Sequence, residues 1–130
     1  MKQGHKHILV LTRGQEDGGS RATLAFALAV SLQAMGSEVA IYLNSQSAIW
    51  AFNFPVQRVH IQGFDPLENY IDLFQEAGGE LFVCATCVDS LTSGYKENVM
   101  ATLGPFREGV TSAGLTTLAS LIMERKCLSF

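Results

Sequence analysis

Two cysteines separated by two residues, Cys84-Ala85-Thr86-Cys87, carry the sharpest chemistry in this sequence. They follow Leu81-Phe82-Val83, a short apolar run that reads as a strand buried on both faces. In open α/β sheets, functional residues gather in the loops beyond the carboxyl ends of the strands. A cysteine at such a place is partly exposed, and a following helix N-terminus lowers its pKa toward the thiolate. The thiolate is the form that attacks a disulfide or a persulfide, or binds a metal. Cys84 and Cys87 are therefore the candidate catalytic residues. The plain alternative is a pair of small buried apolar residues, because free cysteine is among the most buried types. The third cysteine, Cys127, reads as packing in a short terminal strand. An odd count of three argues against a disulfide framework and suits a reducing, cytoplasmic compartment.

Other groups bear on that pair. Asp89 disfavours a nearby thiolate. Arg13, closing the first strand, and Arg21, opening the first helix, are candidate cations for it, with ordinary solvated charge as the alternative. The Gly14–Gly19 loop has the glycines of an anion cradle, but it matches neither the dinucleotide fingerprint nor the P-loop. Its Glu16-Asp17 pair would also repel an anion. His5 and His7 share one face of a strand. With Cys84 and Cys87 they count four zinc ligands, yet the usual second CxxC or helical HxxxH is absent, so no metal site is expected. His60 reads as structural.

The elements that must position these residues follow from periodicity. His7–Leu11, Val39–Leu43 and Leu81–Val83 are expected strands, with a weaker one starting at Val110-Thr111 and an edge strand over Cys127–Phe130. Ser20 reads as the N-cap of a helix reaching Met35, stopped by Gly36. In that helix Leu24, Leu28, Leu32 and Met35 mark one face, with Phe26 and Val30 well away from it. Ser45–Phe52 is a candidate short helix broken at Phe54-Pro55, and Val59–Phe64 a small strand or extended loop. Asp65 is the expected cap of a helix with Pro66 at its first position, burying Leu67, Ile71 and Phe74 and ending at Gly78-Gly79. Residues 96–106 read as loop or short helix, and Ala113–Glu124 as helix. Strands alternating with helices make a three-layer α/β domain spanning 1–130.

Composition limits the function. The 130 residues carry nine Lys+Arg and twelve Asp+Glu, a net charge of −3 with no basic cluster, so nucleic acid is not an expected partner. No apolar stretch approaches the ~20 residues of a membrane span. The four residues Ile8–Leu11 also fall short of a signal-peptide core of about 7–15. Apolar residues reach 48% while charged ones are only 16%, against roughly 25% charged in a typical soluble domain. Such a chain is expected to hide surface in a homo-oligomer, with the two-sided first helix and the aromatic run Trp50, Phe52, Phe54 as the candidate faces.

The stretch Leu81-Phe82-Val83-Cys84-Ala85-Thr86-Cys87-Val88-Asp89 resembles the strand-end cysteine motif of the DsrE/YchN-like family. The likeness extends to the opening strand, the Gly-and-Ser loop before a long apolar helix, the stretch Tyr42-Leu43-Asn44-Ser45, and the closing Lys126–Phe130. It implies an α/β/α domain around a mainly parallel five-stranded sheet, assembled into trimers or hexamers. It also implies a sulfur carrier that holds a persulfide on the position of Cys84 and exchanges it with donor and acceptor proteins, with no organic cofactor. Cys87 matches the second cysteine of the YchN branch. The motif's later Arg-Gly pair is replaced here by Ser90-Leu91-Thr92-Ser93-Gly94, which points to a longer loop and a missing cation. Two other readings stay open: a CxxC thiol–disulfide oxidoreductase, and a non-catalytic oligomeric binding module with structural cysteines.

Overall fold

In the computed structural model, residues 4–93 and 102–130 are described. Five strands, β1 (Lys6–Leu11), β2 (Glu38–Leu43), β3 (Glu80–Cys84), β4 (Val110–Ala113) and β5 (Lys126–Ser129), form one sheet in the order β4-β3-β2-β1-β5. Every pairing is parallel. The central strands are aliphatic on both sides because both faces of a parallel sheet are covered. On one face Leu9, Leu11, Ile41, Leu43, Leu81 and Val83 pack under α1 (Ser20–Ala34) and α3 (Leu67–Glu76). Phe26 and Phe74 lock those two helices together edge to face, with ring centroids 5.6 Å apart. The opposite face, with Ile8, Ala40, Tyr42 and Cys84, lies under Leu118 of α5 (Leu115–Glu124). The three layers expected from the sequence are therefore present. Among the described residues, no helix is long and apolar enough to cross a membrane.

Several local expectations are corrected. Ser20 is the first helical residue and not the cap. Gly19 holds that place at φ 91°, and the Asp17 carboxylate accepts from the Gly19 and Arg21 amides instead. At the other end Gly36 turns left-handed as expected, and the Ser37 amide reaches back to the Leu32 carbonyl. The inward face of α1 is Ala22, Ala25, Phe26 and Ala29, whereas Leu24, Leu28 and Met35 are exposed. Small residues let the helix sit close to the sheet and α3, and the long side chains are turned out.

The Ser45–Ala51 segment is a 3-10 helix. Pro55 does not end the helical region, because it lies in the first turn of α2 (Asn53–Gln57), where a missing N–H costs nothing. Of the two readings for residues 59–64 the structure has the loop, with a turn at 62–63 and Gly63 at φ 89°. The α3 helix starts at Leu67, with Pro66 as its cap. Leu67, Ile71 and Phe74 are buried as the spacing required. Trp50 and Phe52 are core residues and only Phe54 of that run is exposed, so the aromatic segment does not make an outer face. Most of the expected loop or short helix over 96–106 lies outside the described residues.

Candidate thiol site

Cys84 ends β3 and is at once the cap of α4 (Ala85–Thr92). The strand supplies depth and the helix supplies amides. Cys84 is only 5% exposed, and its sulfur accepts the Cys87 backbone N–H at 3.4 Å. Extended residues alternate faces, so Cys84 shares a face with Phe82, and the β2–β3 register sets Phe82 beside Tyr42. The Tyr42 side chain is fully buried; its single hydroxyl hydrogen goes to the Ala113 carbonyl at 3.0 Å, with the Cys84 sulfur as the alternative acceptor.

Burial pushes the Cys84 thiol up. The donors that converge on its sulfur, from the Cys87 thiol and backbone, the Tyr42 hydroxyl and the Thr86 backbone, outweigh that and bring it below the ordinary thiol value. The neighbouring groups pay the opposite shift. Tyr42 is pushed up to about 12, first by burial and then by its bond to Cys84. Cys87 is raised by burial and by Cys84, against a lowering from the Ser45 amide. The site therefore stabilises one thiolate with neutral donors.

Cys87 occupies the first turn of α4, with its sulfur between Cys84 and a cleft. It lines a cleft of about 380 Å³ together with Ser45, Gln46, Ser90 and Leu91. Its sulfur accepts the Ser45 N–H at 3.2 Å, and its single S–H has two acceptors in reach, Asn44 Oδ1 at 3.4 Å and the Cys84 sulfur. Ser45 holds a left-handed φ of 56°, alone among the described non-glycine residues.

The remaining candidates separate. His5 and His7 lie at the start of β1, while the cysteines lie at the end of β3 and beyond, and parallel strands put those at opposite ends of the sheet. His7 Nδ1 is within 2.7 Å of Ser37 Oγ. Among the described residues, no cluster of three or more His, Cys, Asp or Glu could hold a metal ion. His60 bonds the Phe64 carbonyl, a local structural contact. Arg13 and Arg21 are exposed, and Arg13 meets the core through its carbonyl, which accepts from Trp50. Cys127 is exposed on the edge strand and not packed. Ser90, Leu91 and Thr92 of the expected loop belong to α4, and Ser93 caps that helix in an extended conformation.

Tyr42 was not singled out as a donor from the sequence, although strand parity could have placed it: Ala40 and Tyr42 share the face of Phe82 and Cys84. Asn44 and Ser45 carry no such signal, because their contact with Cys87 depends on a turn.

The fold that presents these cysteines, a parallel sheet in the order β4-β3-β2-β1-β5, has counterparts. A model of the DsrE/DsrF-like family matches residues 6–130. The chain belongs to the DsrE/DsrF-like family. The crystal structure of the ychN protein from E. coli superposes on this DsrE/DsrF-like chain with a TM-score of 0.75 at 17% identity, covering 97% of this chain and 99% of that one. A conserved protein of unknown function from Bacteroides thetaiotaomicron, BT1422, gives a TM-score of 0.58 at 15% identity, covering 95% and 94%. At these identities the likeness speaks to the fold. No curated protein sequence matches the chain.

Proposed function

We propose that this DsrE/DsrF-like protein is a sulfur carrier that takes sulfane sulfur from a donor persulfide onto Cys84 and passes it to an acceptor protein. The observation that carries this reading is the set of donors converging on the Cys84 sulfur, which favours the charged, nucleophilic form at a buried position. A buried persulfide would be shielded from stray thiols and held by the same donors. The family supports a role in sulfur relay. The reaction needs no organic cofactor, because the thiolate is itself the nucleophile.

The test is direct: incubate the protein with a low-molecular-weight persulfide and follow intact mass. The wild type is expected to gain a sulfur atom that Cys84→Ser does not. No gain on the wild type, or an equal gain on Cys84→Ser, overturns the proposal.

A cytoplasmic homo-oligomer, trimer or hexamer, completes the reading. The exposed apolar side chains of Leu24, Leu28, Met35, Leu115, Ile122 and Met123 support it. Sedimentation velocity showing only monomer would overturn that part.

The contact between Cys84 and Cys87 favours a second reading, a thiol–disulfide oxidoreductase. Reversible titration of the pair against a dithiol buffer, without sulfur uptake from persulfide, would select it.

A further inference from the structure

Cys87 is the cysteine that lines the cleft, and its sulfur is held in a defined way. Asn44 Oδ1 lies 3.4 Å away as one acceptor for its S–H and the Cys84 sulfur is the other, the Ser45 N–H donates to the sulfur, and the Cys87 backbone N–H touches Cys84. A thiol with an acceptor for its hydrogen is oriented. A thiol that also receives an amide is prepared to lose that hydrogen, because hydrogen bonds to an ion are about twice as strong as neutral ones. The Ser45 amide is delivered by a left-handed serine, a conformation that costs on the order of 1–3 kcal/mol and is concentrated at functional sites.

We propose that Cys87 is the general acid of the sulfur-uptake step, with Asn44 and Ser45 as the positioning residues that hold its thiol at the cleft. This rests on the sulfur-carrier reading. The Cys84 thiolate attacks the outer sulfur of a donor R–S–SH. The new bond from Cys84 Sγ forms as the inner S–S bond breaks, and the electron pair of that bond goes to the R–S sulfur. That sulfur takes the Cys87 proton and leaves as R–SH. The Cys87 thiolate, held meanwhile by the Ser45 amide, recovers a proton from the new Cys84 persulfide, which remains as Cys84–S–S⁻. Neither oxidant nor reductant is consumed, since the sulfane sulfur passes between thiols unchanged.

The raised pKa of Cys87 keeps it protonated until a basic leaving sulfur arrives beside it. A leaving sulfur that is already a stable anion has no need of the proton, and this separates an acid from other roles. The probes are persulfides of a graded series, from acidic aryl thiols to basic alkyl thiols, with sulfur uptake followed by intact mass at one pH in the wild type, Cys87→Ser, Cys87→Ala and Asn44→Ala. The two Cys87 variants are expected to lose about 100-fold or more with the alkyl donors and little with the aryl donors. Asn44→Ala is expected to lie between them and the wild type. A change in Cys84 basicity would scale every donor alike and leave the slope untouched.

Parallel slopes in all four proteins overturn the acid role while leaving the carrier intact. Failure of the wild type to take sulfur from any donor overturns the carrier itself. A wild type that yields mainly a Cys84–Cys87 disulfide and free sulfide makes Cys87 a resolving thiol and overturns the acid role.

Discussion

The backbone N–H of Ser45 meets the Cys87 sulfur at 3.2 Å across 42 positions of the chain. The same amide lies 3.0 Å from Asn44 Oδ1, so β2 ends in a turn that presents one donor to two acceptors. Because α4 packs on the 3-10 helix that begins at Ser45, this contact ties the ends of β2 and β3 together where the thiols sit. The site is thus built between two neighbouring strand ends. It obeys the carboxyl-end rule but lies away from the β1–β5 boundary, where the order of the sheet reverses.

Relieving the backbone at that turn should stabilise the fold. Ser45 is exposed, so Ser45→Gly removes little packing and keeps the amide. Glycine adopts a left-handed φ at no steric cost but adds freedom to the unfolded chain. The expected net is a gain of up to about 1 kcal/mol, read as a higher midpoint in denaturant. Ser45→Val, which brings a β-branched side chain to the same φ, should lower it.

Gly19 is expected to be intolerant. It sits at φ 91°, and a Cβ there would lie 2.6 Å from Val59 Cγ1. Gly19→Ala therefore meets both a disfavoured φ and a close neighbour, and should cost on the order of 1–3 kcal/mol. Gly18, also left-handed, has open space around its would-be Cβ. Gly18→Ala should cost less, and thermal unfolding of the two variants side by side checks the difference.

Which parts of the molecule can be read from residue types has a physical pattern. Ile8–Leu11 and Val39–Leu43 declare themselves because a strand buried on both faces has no room for polar residues. Cys84 and Cys87 declare themselves by spacing and by following such a strand. The inward face of α1 is hidden, since Leu24 and Leu28 are more apolar than Ala25 and Ala29 but close approach selects the smaller pair. The Gly19 cap is hidden because Asp17, and not Ser20, satisfies the first amides. Asn44 and Ser45 are hidden for a third reason: their role depends on a sulfur brought near by tertiary folding.

The half-buried ion pair beside β4 should matter more for order than a fully exposed one. Arg107 is nearly buried, pairs with Asp72 and donates to Gln75 Oε1 at 2.9 Å. Asp72→Ala leaves the guanidinium with Gln75 as its remaining side-chain partner, and removing one member of such a pair strands a charge. Asp72 itself is half exposed, so the expected loss is modest, about 1–2 kcal/mol. Faster amide exchange confined to 107–113 would locate it, and unchanged exchange there would show that the pair does not hold β4.

Tyr42→Phe tests whether neutral donors make the thiolate. The variant keeps the ring in the core and removes only the hydroxyl, whose one hydrogen has the Ala113 carbonyl and the Cys84 sulfur as its acceptors. A hydrogen bond to a charged partner is worth about 1.5–3 kcal/mol, and each pKa unit is about 1.4 kcal/mol. The thiolate titration of Cys84 should therefore move up. In the wild type, alkylation of Cys84 rises with pH through a midpoint below that of a free thiol, since its folded pKa is lowered. Any stability the thiolate contributes is present above the unfolded thiol pKa and is lost as pH falls through the folded one. Tyr42 runs the opposite way. Its pKa is raised to about 12, so its contribution is complete below the ordinary tyrosine value and is lost as pH rises through 12. Tyr42→Phe should abolish that alkaline loss while shifting the Cys84 alkylation midpoint upward. Site-resolved alkylation across pH reads the second effect, and an unmoved midpoint would mean that the Cys87 and Thr86 donors suffice without the phenol.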